Sequence, residues 1–227
     1  MTETAEKTTV KEKINPLRIA VLVSGGGTTL QAIIDEEQRL KANGKICPYT
    51  VCCVFSDRKD AYALQRASSA NIPTQIVSSY AILGTEKAKA ASRNEKREAV
   101  SNRVLELAKI YNVQAIVLAG FLTVLSGKVL LDYSNKIINL HPALLPKFGG
   151  VGMWGHHVHE AVIAAGETES GCTIHLVDKG CDTGKILLQK KVPVLPNDTP
   201  ETLYARIAPQ EKIAIVEGIK MLACQNS

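Results

Sequence analysis

Aromatic side chains are scarce in this chain: Phe, Trp and Tyr make up only 4% of its 227 residues. Proteins that stack nucleobases on exposed rings need more of them. The net charge of +5 is too mild for the dense basic face of a nucleic-acid binder. No apolar run approaches the length of a membrane span, and the polar N-terminus lacks the apolar stretch of a signal peptide. The expectation is therefore no nucleic acid, no membrane and a cytoplasmic location. The six cysteines, Cys47, Cys52, Cys53, Cys172, Cys181 and Cys224, have no C-x-x-C spacing. They read as reduced, mostly buried thiols of an intracellular protein. Cys52 and Cys53 are neighbours in a strand-like run, where alternation sends their side chains to opposite faces.

What is present is an alternation of short apolar runs with amphipathic segments. Residues 1–16 are polar and aperiodic and read as a mobile tail. Strands are expected over residues 17–23, 49–55, 74–77, 115–119 and 137–140, and helices from about 29, over 61–70 and over 93–111. In the last of these helices Val100, Val104, Leu107 and Ile110 share one face. The run at 17–23 is short, apolar and rich in β-branched residues, and the run at 115–119 is continuous enough for burial on both faces. The fold class is α/β, a Rossmann-like doubly wound, mostly parallel sheet with helices on both faces. After residue 140 the pattern changes to a helix near 156–165 and a hairpin of strands over 172–177 and 185–192. A final helix starts near Pro200, capped from Asn197, Asp198 or Thr199. The basic residues between Lys87 and Arg103 read as solvated helix surface, or as cations of which one or two meet an anionic small molecule.

Chemistry-bearing residues gather where strands end. Ser24, Gly25, Gly26, Gly27, Thr28 and Thr29 lie between the first strand and first helix, where glycine permits close backbone approach and helix amides favour an anion. Leu30 stands where a dinucleotide fingerprint needs its third glycine, and the Gly-Lys-Ser/Thr ending of a P-loop is missing. A phosphate monoester, a dinucleotide with Asp57 on its ribose, and a purely structural turn remain the readings of this loop. Asn139 and His141 stand two apart at the end of a strand, so they share a side. A carboxamide N–H and a protonated imidazole both donate to an oxyanion, as acyl transfer requires. His156, His157 and His159 lack the i, i+4 spacing and glutamate of a zincin, so no metal is expected.

The run Leu140-His141-Pro142-Ala143-Leu144-Leu145-Pro146 resembles the HPSLLP-type motif of folate-dependent formyltransferases, with alanine in place of the usual serine. Ser24-Gly25-Gly26-Gly27-Thr28-Thr29-Leu30-Gln31-Ala32-Ile33 is similar to that family's SGxGSNLQAI start. Val117-Leu118-Ala119-Gly120-Phe121 and Gly180-Cys181-Asp182-Thr183-Gly184 also match, and the order and spacing cover about residues 17–215.

The resemblance implies a formyltransferase fold with an added C-terminal hairpin, one domain over residues 17–227, and 10-formyltetrahydrofolate as co-substrate. The branch it resembles formylates the amine of glycinamide ribonucleotide. By position it makes Asn139, His141 and Asp182 the catalytic set, with Asp182 raising the histidine pKa and keeping it charged near neutrality. It places the ribonucleotide on Gly25, Gly26, Gly27, Thr28, Thr29, Thr173 and Glu211, with His175 beside Thr173. The folate is assigned to Arg97, Leu122, Thr123, Val124, Leu125 and Asn139. The partners implied are these small molecules, with the chain a monomer or homodimer. Three features depart from the family pattern: Thr123 where arginine is common, a longer glycine-rich loop over residues 147–155, and a basic stretch near Lys87 to Lys96 that looks inserted. The alternatives are a formyltetrahydrofolate hydrolase, which normally carries an extra N-terminal domain, and a non-catalytic nucleotide-binding module. A methionyl-tRNA formyltransferase normally adds a C-terminal β-rich domain.

Overall fold

The structure is a computed structural model that describes residues 15–225, so residues 1–14 of the expected tail lie outside the described residues. Its sheet has seven strands in the order β3-β2-β1-β4-β5-β6-β7. These are β1 (Leu17–Val23), β2 (Tyr49–Ser56), β3 (Thr74–Ile76), β4 (Ala115–Leu118), β5 (Ile137–His141), β6 (Glu169–Leu176) and β7 (Ile186–Pro193). Strands β1 to β5 pair in parallel, whereas β6 lies antiparallel to both β5 and β7. The C-terminal hairpin is thus an extension of the parallel sheet.

Both faces of the sheet are covered, which is why β1 and β4 are apolar at nearly every position. On one face α1 (Thr28–Ala42), α2 (Tyr62–Ser69), α7 (His156–Ala164) and α8 (Pro200–Gln225) close over Ile19, Val21 and Val117. On the other, α5 (Arg93–Ile110) and α6 (Lys128–Asp132) close over Ala20, Leu22 and Ile116. Full burial of side chains such as Ile19, Leu22 and Ile116 stabilises by about 1.5–3 kcal/mol each. Val100, Val104 and Leu107 of α5 are buried as expected, but Ile110 is 62% exposed because the helix ends there, beyond the sheet. Thr199 is the cap of α8: its Oγ1 accepts from the Thr202 N–H at 3.3 Å. Pro200 then takes the first helical position, where a missing N–H costs nothing.

Three short helices were absent from the expectation: α3 (Ser79–Leu83), α4 (Thr85–Ala90) and α6. None is long enough to display a 3.6-residue period. The inserted-looking basic stretch is α4 and the start of α5, the latter opened by a reciprocal capping box between Ser92 and Glu95.

The alternation rule failed at Cys52. In the β1–β2 pairing Ile19 faces Val51 and Ala20 faces Cys53, leaving Cys52 as the extra residue of a β-bulge. The bulge turns both thiols toward the same face, with their sulfurs 3.9 Å apart. All six cysteines are free, but only Cys47, Cys53 and Cys172 are buried, fewer than expected.

The chain runs from β1 outward to β2 and β3, then returns to β4 on the other side of β1. Such a reversal leaves a crevice at the carboxyl ends of β1 and β4, where ligands of open α/β sheets bind.

Candidate active site

A cavity of about 900 Å³ opens at that crevice. That is near the upper end of small-molecule sites and leaves room for two substrates. Its lining includes Gly25, Gly26, Gly27, Thr28 and Thr29 after β1, Phe121, Leu122 and Val124 after β4, Asn139 and His141 of β5, and Asp182. Arg97 and Glu211 complete the set of expected residues found on its wall.

The glycine loop is shaped by contacts on its outer side. Gly25 O accepts from the Ala63 N–H at 3.1 Å, and Gly26 O from Arg66 Nε at 2.8 Å, so α2 holds these carbonyls. Gly27 has φ +72°, and a Cβ there would lie 2.5 Å from the Ala63 Cβ. Glycine alone meets both demands. The first helical bond of α1 runs from Gln31 N–H to Gly27 O. The preceding amides of the first turn stay outside the helical ladder, aligned with the helix dipole for an anion.

Asp57 does not take the role of a ribose-binding acid. Its Oδ1 accepts from Ser24 Oγ and its Oδ2 from Thr123 Oγ1, both at 2.6 Å, while Ser24 Oγ accepts the Leu122 N–H at 2.8 Å. Asp57 thereby ties the exits of β1, β2 and β4 together and lies outside the cavity wall, which removes the support for a dinucleotide.

At the end of β5 the histidine and asparagine are each held by a specific partner. His141 is 3% exposed. A backbone carbonyl only accepts, so the 2.8 Å contact with Phe148 O places a proton on His141 Nε2. Nδ1 then faces Asp182 Oδ2 at 3.5 Å. Burial pulls the His141 pKa below its ordinary value, outweighing the opposite effects of Asp182 and the Phe148 carbonyl. Asp182 was expected to keep the ring charged, but desolvation is the larger effect on it, so the ring holds its second proton less tightly than an ordinary histidine. Asp182 behaves differently. Burial works to raise its pKa, but His175, the Gly150 N–H at 3.0 Å and the charge of His141 together hold it below the usual carboxylate value.

His175 underlies the site. Its Nδ1 donates to Leu176 O at 2.9 Å, and its Nε2 lies between Asn139 Nδ2 at 3.1 Å and Asp182 Oδ1 at 3.5 Å. One Asn139 N–H is therefore fixed to His175, and the other remains for a ligand. The loop after Lys147 clamps the set from above. Phe148, at φ +55°, supplies the carbonyl for His141, and Gly150 supplies the amide for Asp182.

Four expected residues are not on the cavity wall, one of them the His175 just described. Thr173 is fully buried, its Oγ1 donating to Ala143 O at 2.6 Å and accepting from Leu145 N–H and Gln189 Nε2. It braces the His141–Pro146 segment from beneath. Thr123 spends its hydroxyl on Asp57, and Leu125 is 4% exposed in the core under α5.

Arg58, Met153, Trp154, His156, Glu201 and Tyr204 line the cavity without having been singled out as site residues. Arg58 follows β2, so the rule that ligands gather at carboxyl ends of parallel strands was a signal for it. Glu211 was expected, but not its state: it is 8% exposed, and burial pushes its carboxyl up to about 7, with Lys212 acting weakly against. Among the described residues no group of His, Cys, Asp and Glu has a metal-holding arrangement.

A doubly wound sheet with an anion-cradling loop after β1 and an Asn–His–Asp constellation at β5 has the architecture of a Rossmann-like domain with a group-transfer type of site. The chain belongs to the formyl transferase family, whose sequence profile matches residues 17–219. It is 35% identical over 195 residues to the phosphoribosylglycinamide formyltransferase of Escherichia coli (strain K12), covering 86% of this chain and 82% of that protein. It is 39% identical to the trifunctional purine biosynthetic protein adenosine-3 of Drosophila melanogaster over 90% of this chain, but spans only 14% of that relative's length. The structure of glycinamide ribonucleotide transformylase 1 from Symbiobacterium toebii superposes with a TM-score of 0.78 at 36% identity, covering 92% of this chain and 88% of that one.

Proposed function

We propose that the chain transfers the formyl group of 10-formyltetrahydrofolate to the amine of glycinamide ribonucleotide, giving formylglycinamide ribonucleotide and tetrahydrofolate, the third step of de novo purine synthesis. The supporting observation is the convergence of Asn139, His141 and Asp182 on one cavity whose far wall is the anion-cradling loop. Relatives named for this activity match most of the chain. The activity is assigned to one domain over residues 17–227.

The roles proposed by resemblance are compatible with the geometry. The first-turn amides of α1 take the acceptor's phosphate and Glu211 its sugar, which brings the amine to the end of β5. The apolar flank of Phe121, Leu122 and Val124, with Arg97 as the cation, suits a flat heterocycle carrying carboxylates. Formyl folate, when bound, supplies the electrophilic formyl carbon. The free N–H of Asn139 donates to the oxygen on which negative charge develops. His141 Nδ1 accepts the proton released as the amine attacks, and the adjacent Asp182 stabilises the resulting imidazolium. His141 then returns that proton to the departing nitrogen, which balances the exchange. The Phe148 carbonyl holds the ring in place throughout.

Purified protein mixed with 10-formyltetrahydrofolate and glycinamide ribonucleotide, followed by folate absorbance, tests this. Acceptor-dependent turnover is expected. Turnover without acceptor assigns a hydrolase, and binding of nucleotide without turnover assigns a non-catalytic module.

A further inference from the structure

One wall of the cavity carries a histidine with nothing to bind. His159, on α7, is 2% exposed and lines the cavity, yet its Nδ1 is sealed from solvent without a partner. Neither ring nitrogen is hydrogen-bonded by any described residue. Buried polar atoms are nearly always satisfied, because an unpaired one has given up water for nothing in return. A polar ring kept in such a place needs a reason beyond packing, which phenylalanine or leucine supplies more cheaply.

The surroundings fix both the pose and the charge of the ring. It lies against Tyr204 of α8, ring centroids 5.5 Å apart and planes at 37°. Burial, then the charges of His156 and His141, hold its pKa below the ordinary histidine value, so at neutral pH it carries one ring proton. With no acceptor beside Nδ1, that proton belongs on Nε2, which makes the ring an uncharged donor at the cavity wall. Tyr204 and Glu211 line the cavity with it. An uncharged imidazole stacked on Tyr204, whose phenol in turn feels the Glu211 carboxyl, is a poor match for a phosphate dianion, which the amides after β1 serve far better. It is a good match for a hydroxylated, uncharged group, to which Glu211 accepts and His159 donates.

We propose that His159 is a specificity-determining residue that hydrogen-bonds a sugar hydroxyl of the acceptor, completing with Glu211 a pocket for the ribose rather than for the phosphate. The identity of the acceptor rests on the function proposed above; the preference for a sugar hydroxyl does not.

The test uses two substitutions in the full chain. His159→Phe keeps the ring volume and the stack on Tyr204 but removes both nitrogens. His159→Gln restores a donor near the place of Nε2. Initial rates are measured with each substrate varied in turn, and inhibition by ribose 5-phosphate is compared with inhibition by inorganic phosphate. His159→Phe is expected to raise the acceptor KM and the inhibition constant of ribose 5-phosphate about tenfold, the loss of one hydrogen bond to a ligand. The folate KM, inhibition by inorganic phosphate and the melting temperature are expected to hold, and His159→Gln to recover most of the loss. An unchanged acceptor KM and ribose 5-phosphate affinity overturns the proposal. So does an equal loss for inorganic phosphate, which assigns the residue to the phosphate, or a fall in melting temperature with both KM values raised, which assigns it to packing. If the wild type does not formylate glycinamide ribonucleotide, the proposed function fails, while the ribose 5-phosphate comparison still decides the role of His159.

Discussion

Replacing Glu211 by glutamine separates what this carboxyl does for binding from what it costs the fold. Its pKa is raised from an ordinary 4.5 to about 7, first by burial. A folded-state pKa above the unfolded one means that the native state holds the proton more tightly. The corresponding stability is present in full below pH 4.5 and is lost as pH rises through about 7. A displacement of this size corresponds to about 3 kcal/mol at 1.36 kcal/mol per tenfold change in proton affinity. Glutamine is close in shape and cannot ionise, so Glu211→Gln is expected to lie within about 1 kcal/mol of the wild type at pH 5 and to be more stable by up to about 3 kcal/mol at pH 8. For a domain of this length that is a melting-temperature difference of roughly 6–12 °C, read by calorimetry at the two pH values. The same substitution is expected to weaken acceptor binding, because the ionised carboxylate is the better acceptor of sugar hydroxyls. The wild-type acceptor kcat/KM then rises with pH around 7 through Glu211, and again at lower pH through His141, whose pKa lies below 6.5. In Glu211→Gln the limb near 7 disappears and the lower one stays. A stability difference that is the same at pH 5 and pH 8 would refute the burial argument.

The remaining predictions concern the frame around the cavity. Gly27→Ala places a Cβ 2.5 Å from the Ala63 Cβ at φ +72° and is expected to destabilise by more than about 2 kcal/mol while raising the acceptor KM. Urea denaturation and initial rates check it, and wild-type values for both would show that the loop does not need glycine there. Asp57→Ala removes the acceptor shared by Ser24 and Thr123 and is expected to cost about 1–3 kcal/mol in chemical denaturation. A change below about 0.5 kcal/mol would mean that the three strand exits are held by other contacts.

The parallel strands were legible because burial on both faces demands unbroken apolar runs, as in β1 and β4. The cap at Thr199 was legible because caps are local chemistry. What escaped reading depends on contacts distant in sequence. Nothing near Cys52 announces the bulge, which exists only in the pairing with Ile19 and Ala20. Asp57 and Thr123 stand 66 positions apart, so the bond that withdraws both from the cavity has no local signature. Motif position identified Asn139, His141 and Asp182 correctly as neighbours, but the charge on His141 is decided by how deeply it is buried, which no spacing encodes. The loop after Lys147 departs from the family pattern in length and glycine content, yet its backbone holds both His141 and Asp182. Backbone groups contribute there regardless of side chain, so the residue types of the loop do not announce the clamp.

The central claim is that Asn139, His141 and Asp182 perform formyl transfer on an acceptor held elsewhere in the cavity. Turnover of His141→Ala and Asp182→Asn, measured beside calorimetric titration of each with glycinamide ribonucleotide, tests it most directly. The account predicts kcat reduced by on the order of 10²–10⁴-fold in both variants, with acceptor affinity within a fewfold of wild type. Near-normal kcat in both, with the acceptor still bound, would contradict it.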